Sequence, residues 1–211
     1  MKKGKFLTDV YKKIDNKSYD IKDAINIFVE SKREKFDETI EVSMNLGIDP
    51  RHADQMVRGV VSLPNGNGKK MKVAVFAKDQ KADEAREAGA DVVGAEDLAE
   101  DMQKGNLDYD RIIATPDLMG VVGRIGKVLG PKGLMPNPKL GSVTEDLKTA
   151  VLNAKSGQVE IRNDKDGNIG VSIGKKSFND EKLIQNYNAI IDALEKEKSN
   201  NTLKGDLVKT S

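Results

Sequence analysis

The feature that most constrains this chain is a change of period that occurs twice. Between residues 71 and 155, short apolar runs alternate with helical stretches. Residues 71–77, 90–93 and 111–115 read as strands, and 79–88, 96–104, 117–129 and 144–154 as helices. Apolar strands joined by helical crossovers specify a largely parallel sheet covered on both faces. Gly89 and Gly105 stand where helices should end, and Ser142 followed by Glu145 predicts a capping box for the last one.

The flanks follow another rule. Ala24, Ile25, Phe28 and Val29 share a helical stripe within 22–33. From Thr39 to Leu46 the period drops to two: Ile40, Val42, Met44 and Leu46 point one way, and Thr39, Glu41, Ser43 and Asn45 the other. Asp49-Pro50 predicts a short helix through Met56. Residues 59–64 read as a strand, and 64–70 (PNGNGKK) as a linker. Past Gly157, 158–162 and 169–173 alternate, and NDKDGN (163–168) predicts a hairpin between them. Asn179 caps a helix from Asp180 to about Lys196, with Leu183, Ile184, Ile190, Ile191 and Leu194 on its apolar side. The tail 199–211 is polar, with one weak apolar pair, Leu207-Val208.

Neither flank has enough strands for a sheet. Joined, they make a four-stranded antiparallel sheet with helices. The expected class is α/β, with a discontinuous α+β first domain from 1–67 and 157–211. A Rossmann-like three-layer α/β domain, 68–156, is inserted into it. A single continuous α/β sheet is the alternative.

Composition removes several chemistries. Without Cys, thiolate catalysis, zinc–thiolate sites and disulfides are excluded, and His52 is the only histidine. The basic opening is not followed by an apolar run, and no stretch is apolar enough to span a bilayer, so a soluble intracellular protein without membrane contact is expected. Lys and Arg number 35 against 34 Asp and Glu, yet segments 1–35 and 111–155 carry an excess of basic residues and 36–110 an excess of acidic ones. That pattern makes local patches.

Cofactor sites fail residue by residue. In Gly120–Lys127 the phosphate-loop pattern has Val121 where its first Gly belongs and Val128 where Ser or Thr should hold magnesium. No Gly-rich turn follows strand 71–77, so a dinucleotide has no cradle. In Asp164–Lys175 a calcium loop would need Gly and Glu where Ile169 and Lys175 stand. No catalytic set, metal site or cofactor is expected. A nucleotide-dependent enzyme built on the middle unit is the rival reading.

Recognition remains. Thr39, Glu41 and Ser43 form a row beside Lys35 and Phe36, with Lys2, Lys3 and Lys5 at the amino end and Arg162, Lys165 and Asn168 around the expected hairpin. Hydroxyl, carboxylate and basic groups on a rigid sheet suit RNA, which is read through shape, 2′-hydroxyls and phosphates. A merely solvated strand face fits the same pattern. The Gly/Pro-rich loop 130–141, with Lys132, Lys139 and nearby Arg124, should be ordered, and constrained loops of this kind are more often functional than filler.

The run GPKGLMPNPKLGSVT (130–144) resembles the signature of the universal large-subunit ribosomal protein one family. FDETIEV (36–42), LGIDPR (46–51), VSLPNGNGK (61–69), AGADVVG (89–94) and IGKKSF (173–178) are similar to its other blocks in the same order. The resemblance implies a split first domain that binds the rRNA of the mobile large-subunit stalk, and an inserted Rossmann-like domain without nucleotide. It also implies contact with deacylated tRNA at the exit site, repression of the protein's own operon mRNA, a cytoplasmic, ribosome-associated place, and a monomer when free. By motif match the RNA-facing residues are Lys35, Phe36, Thr39 and Glu41. Arg162, Lys165, Asn168 and Lys175 are secondary contacts, and Arg51 either contacts RNA or braces the sheet. Arg124, Lys132 and Lys139 offer a second RNA or tRNA surface. Two departures stand out: Gly170 occupies a position where the family commonly has His, and after Lys204-Gly205 only DLVKTS follows, so a shortened or lost final strand is expected.

Overall fold

The computed structural model describes residues 5–15, 17–31, 36–52, 55–200 and 208–210. Helices α1 (Lys5–Tyr11) and α2 (Ile21–Glu30) precede strands β1 (Thr39–Leu46) and β2 (Arg58–Ser62). Next come β3 (Val73–Phe76), α3 (Asp79–Glu87), β4 (Val92–Gly94), α4 (Glu96–Gln103) and β5 (Arg111–Ala114). They are followed by α5 (Met119–Arg124), α6 (Gly126–Leu129) and α7 (Leu147–Lys155), then β6 (Gln158–Arg162), β7 (Asn168–Lys175), α8 (Asp180–Asn200) and β8 (Val208–Thr210). The α/β class is borne out.

In the middle unit β3 is central and parallel to both β4 and β5, in the order β4-β3-β5. Its four residues are wholly buried because alternate side chains face different helices. Val73 and Val75 meet Ala82 and Ala85 of α3 and Leu147 and Val151 of α7. Ala74 and Phe76 meet Leu98 and Met102 of α4, Val122 of α5 and Leu129 of α6. Three layers result, as the alternation predicts.

A separate core joins the two flanks. Met44 and Leu46 of β1, Val61 of β2, Ile161 of β6 and Ile169, Val171 and Ile173 of β7 pack with Ile25 of α2 and Leu183, Ile190 and Leu194 of α8. The flanks do not form one four-stranded sheet. They form a three-stranded ladder, β7-β1-β8, and a pair, β2-β6, all antiparallel. The expected hairpin is likewise absent, because β6 pairs with β2 and β7 with β1. Segment 163–167 is a corner between the two ladders. Buried Asn163 accepts from Val57 N at 2.9 Å and donates to Asp164 O at 2.8 Å, and Leu46 N donates to Gly167 O at 2.9 Å. These bonds hold the turn against the neighbouring strands rather than folding β7 back on β6.

Three local expectations are corrected. The helix expected over 117–129 is broken into a 3-10 turn, α5 and α6, with Gly120, Gly123 and Gly126 weakening it from within. The capping box at Ser142 is not used: residues 142–144 run along the edge of β5, with Ala114 N donating to Ser142 O and Thr144 N to Ala114 O. The helix α7 therefore starts later and is capped by Asp146, whose carboxylate accepts from Thr149 N at 3.0 Å. After Asp49, residues 50–52 are a turn and bend, not a helix, and Asp49 Oδ1 accepts from Arg51 N. Asn179 caps α8 as expected, accepting from Lys182 N.

The linkers cross in contact. A Cβ on Gly157 (φ +99°) would lie 2.4 Å from Gly66 Cα, so this crossing admits no side chain. Asn186 of α8, fully buried, fixes the first linker. Its Oδ1 accepts from Asn65 N at 3.1 Å, and its Nδ2 donates to Gly66 O at 2.8 Å and to Ile173 O at 2.7 Å.

Candidate nucleic-acid interface

The polar side of β1 is exposed, and β7 supplies its neighbours. Across the ladder Thr39 faces Lys175, Glu41 faces Ser172, Ser43 faces Gly170 and Asn45 faces Asn168. A bulge between Ile40 and Glu41 keeps both strands' polar residues on the outside while Ile173 stays in the core. The result is a strip of hydroxyls, amides, one carboxylate and one ammonium over a rigid apolar layer. The hydroxyls, amides and ammonium can donate to phosphates, and the hydroxyls, amide oxygens and carboxylate can accept from 2′-hydroxyls.

Both ends of the strip are held in place. At one end Lys175 Nζ donates to Thr39 Oγ1 at 2.8 Å. At the other, Asp164 accepts from the backbone N of Asp166 and Asn168 at 2.8 Å each, and from Asn168 Nδ2 at 3.2 Å. Asn168 Oδ1 then accepts from Asn45 Nδ2 at 2.8 Å, which fixes both amides. The backbone bond from Asn168 holds the Asp164 carboxyl below its ordinary pKa.

Phe36 is 68% exposed beside the Thr39–Lys175 end. The segment that presents it is tied to the turn before α8. Asp37 accepts from Ser177 N at 3.0 Å and Ser177 Oγ at 2.8 Å, and Lys176 N donates to Glu38 O. Lys176 Nζ, nearly buried, donates to Glu38 Oε2 at 3.1 Å and Ser31 O at 2.6 Å. The ring is thereby presented to solvent on an anchored backbone, where its face is accessible for stacking.

Of the residues singled out from sequence, Phe36, Thr39, Glu41, Asn168 and Lys175 share this face or its edge. Lys165 is exposed in the corner beside Asn168, and Arg162 ends β6 opposite Arg58, in the other ladder. Arg51 is exposed on the turn beyond β1, and its guanidinium makes no hydrogen bond or ion pair among the described residues, which gives no support to a bracing role. Lys35, with Lys2 and Lys3, lies outside the described residues, as does the side chain of Lys5. Ser172, Asp37 and Lys176 escaped the sequence reading; the period-two pattern of 168–175 marks Ser172. A Cβ on Gly170 would meet nothing within 4 Å, so the strip is bare and open at its centre.

The loop 130–141 is ordered. Asn137 Oδ1 accepts from Lys139 N at 2.9 Å, Ser142 Oγ accepts from Asn137 N at 2.8 Å, and Leu134 and Met135 pack on the core beneath α5 and α6. Its two lysines, Lys132 and Lys139, and Arg124 at the end of α5 are exposed. Between this loop and β6–β7 lies a cleft of ≈ 350 Å³. Lys69 pairs with Asp110 and Glu160 with Arg58, while Arg111 donates to the neutral Gln158 Oε1 at 2.7 Å. Burial lowers the Arg111 pKa, and Glu160 opposes that. Desolvation would raise the Asp110 carboxyl, but bonds from Lys69 and from Lys72 N hold it low.

A family model, that of the Ribosomal protein L1p/L10e family, matches residues 28–211. The chain belongs to this family. As an L1p/L10e protein it is a structural, rRNA-binding component of the large ribosomal subunit, not an enzyme, and its place is the ribosome. The family match spans both flanks, the middle unit and the loop 130–141. Among the described residues, no helix is long and apolar enough to cross a membrane, and no group of His, Asp and Glu side chains is placed to hold a metal.

Proposed function

We propose that the β1–β7 strip binds the rRNA of the mobile large-subunit stalk. Residues 1–67 with 157–211 act as the RNA-binding domain, and 68–156 as an inserted domain without nucleotide. Phe36, Thr39 and Glu41 make the principal contacts together with Lys35; Lys175, a secondary contact by motif, joins them through its bond to Thr39 Oγ1, while Arg51, Arg162, Lys165 and Asn168 add contacts at the margin. The observation that carries this reading is the cross-strand row of polar side chains, hydrogen-bonded at both ends, on a fully apolar layer. A solvated face needs no such fixing, since ordering exposed side chains costs entropy.

In the same reading, Arg124, Lys132 and Lys139 meet deacylated tRNA at the exit site or a neighbouring rRNA segment. An mRNA structure that mimics the stalk lets the free, monomeric protein repress its own operon. Titrating the protein with an rRNA stalk fragment and, separately, with ATP and NAD tests the assignment. Tight, saturable binding of the fragment with no saturable nucleotide binding is expected. Fragment affinity no better than that of an unrelated duplex, with saturable nucleotide binding, would reverse it.

A further inference from the structure

Lys175 has a second neighbour besides Thr39. A Cβ built on Gly68, in the first linker, would lie 2.5 Å from Lys175 Cγ and 3.2 Å from two atoms of the Phe178 ring. Gly68 therefore packs directly on the stem of this lysine. The ring itself cannot give way easily: it fits against Gly174, where a Cβ would approach it to 2.9 Å, and Phe178 N donates to Lys175 O at 2.9 Å. The stem of Lys175 thus lies against a linker glycine beside the Phe178 ring, while its ammonium donates to Thr39 Oγ1 at 2.8 Å.

We infer that Gly68 is a positioning residue for the RNA face: by seating the stem of Lys175 it couples the path of the linker to RNA affinity. The inference rests on the proposed reading of the β1–β7 strip. A side chain at 68 must displace Cγ by roughly 1 Å to reach ordinary contact distance, and so carries Nζ away from Thr39. A linker path that withdraws Gly68 releases the same lysine. By linkage, RNA that engages Lys175 in its seated position favours the linker path in which Gly68 supports it.

Gly66 provides a matched control. It lies in the same linker at φ +66°, against +72° at Gly68, so alanine is strained alike at both positions. A Cβ there meets only Ser156 O, at 3.4 Å. The affinity of the full chain for an rRNA stalk fragment is measured across a salt series for G66A, G68A, K175A and the G68A/K175A pair, with thermal unfolding alongside. G68A should bind about five- to tenfold more weakly, with a salt slope smaller by up to about one phosphate contact. G66A, with the same backbone strain and no such clash, should be destabilised no more than G68A and keep its affinity within about twofold. The pair should bind no more weakly than K175A alone, because both changes remove one contact. Equal affinity losses for G66A and G68A, or additive losses in the pair, overturn the inference. If K175A weakens binding and G68A does not, the inference falls and the reading of the strip stands. If K175A changes neither affinity nor slope, the assignment of Lys175 to the RNA face falls with it.

Discussion

Replacing Asn186 with Leu removes a buried amide without leaving a cavity, because Leu is the larger side chain, so the cost is that of the lost hydrogen bonds with any overpacking added to it. Three backbone groups lose their partner: Ile173 O, Gly66 O and Asn65 N, bonded at 2.7, 2.8 and 3.1 Å. The bond to Ile173 O is buried, and an acceptor abandoned there costs about 2 kcal/mol. The two linker groups are partly buried and can regain water, so each costs about 0.5–1 kcal/mol. The sum is about 3–4 kcal/mol, a large share of the stability of an ordinary domain, about 5–15 kcal/mol. Urea unfolding followed by far-UV circular dichroism should show a lower midpoint with an unchanged denaturant slope for the transition that includes α8. Asn65→Ala, which removes a side chain bonded, among the described residues, only to Gln185 and Lys182 O in an exposed setting, should cost less than about 1 kcal/mol. An N186L cost below about 1 kcal/mol would refute the claim that this amide fixes the linker.

Gly170→His should fold without loss of stability, since its Cβ meets nothing within 4 Å, and should raise stalk-fragment affinity by about three- to tenfold through one added contact; a fall in affinity would show that the bare centre is required. The Asp91 carboxyl is held below its usual value near 3.8, first by the bond from Val73 N and then by Lys155. Its stabilisation is therefore present above that value and lost as pH falls through the lower folded one, so Asp91→Asn should cost up to about 1 kcal/mol at neutral pH and less at about pH 2. Equal costs at both pH values in thermal melts would contradict the sign. Lys132 and Lys139 are exposed, and the cap around Asn137 uses only the backbone of Lys139, so their double alanine variant should keep stalk-fragment affinity while losing crosslinks to exit-site tRNA in assembled ribosomes; a loss of fragment affinity as large as that of K175A would contradict the division into two surfaces.

Periodicity made most of the architecture legible. The alternation in 39–46 specifies the inward and outward faces of β1, and the strand–helix rhythm of 71–155 specifies helices on both faces of a parallel sheet. Pairing was not legible, because turn residues such as those of 163–168 form a corner as readily as a hairpin. The choice depends on what Asn163 and Gly167 O meet, and those partners, Val57 N and Leu46 N, are distant in sequence. The cap of α7 was misplaced for a similar reason: Ser142 has the right spacing to Glu145, but the edge of β5 holds residues 142–144 extended. Asn186 left one signal, a lone amide on the apolar stripe of α8 between Leu183 and Ile190. The bonds by which Asp164, Asp37 and Lys176 hold the β1–β7 strip and its edge in place were invisible because their partners are set by the fold.

The claim that rRNA lies on the β1–β7 strip is tested most directly by photo-crosslinking the full chain to a 4-thiouridine-substituted stalk fragment and mapping the attached peptides by mass spectrometry. Crosslinks should concentrate in 36–45 and 168–175, with none on the acidic helices α3 and α4. Crosslinks confined to 68–156, with the strip unlabelled, would contradict the account.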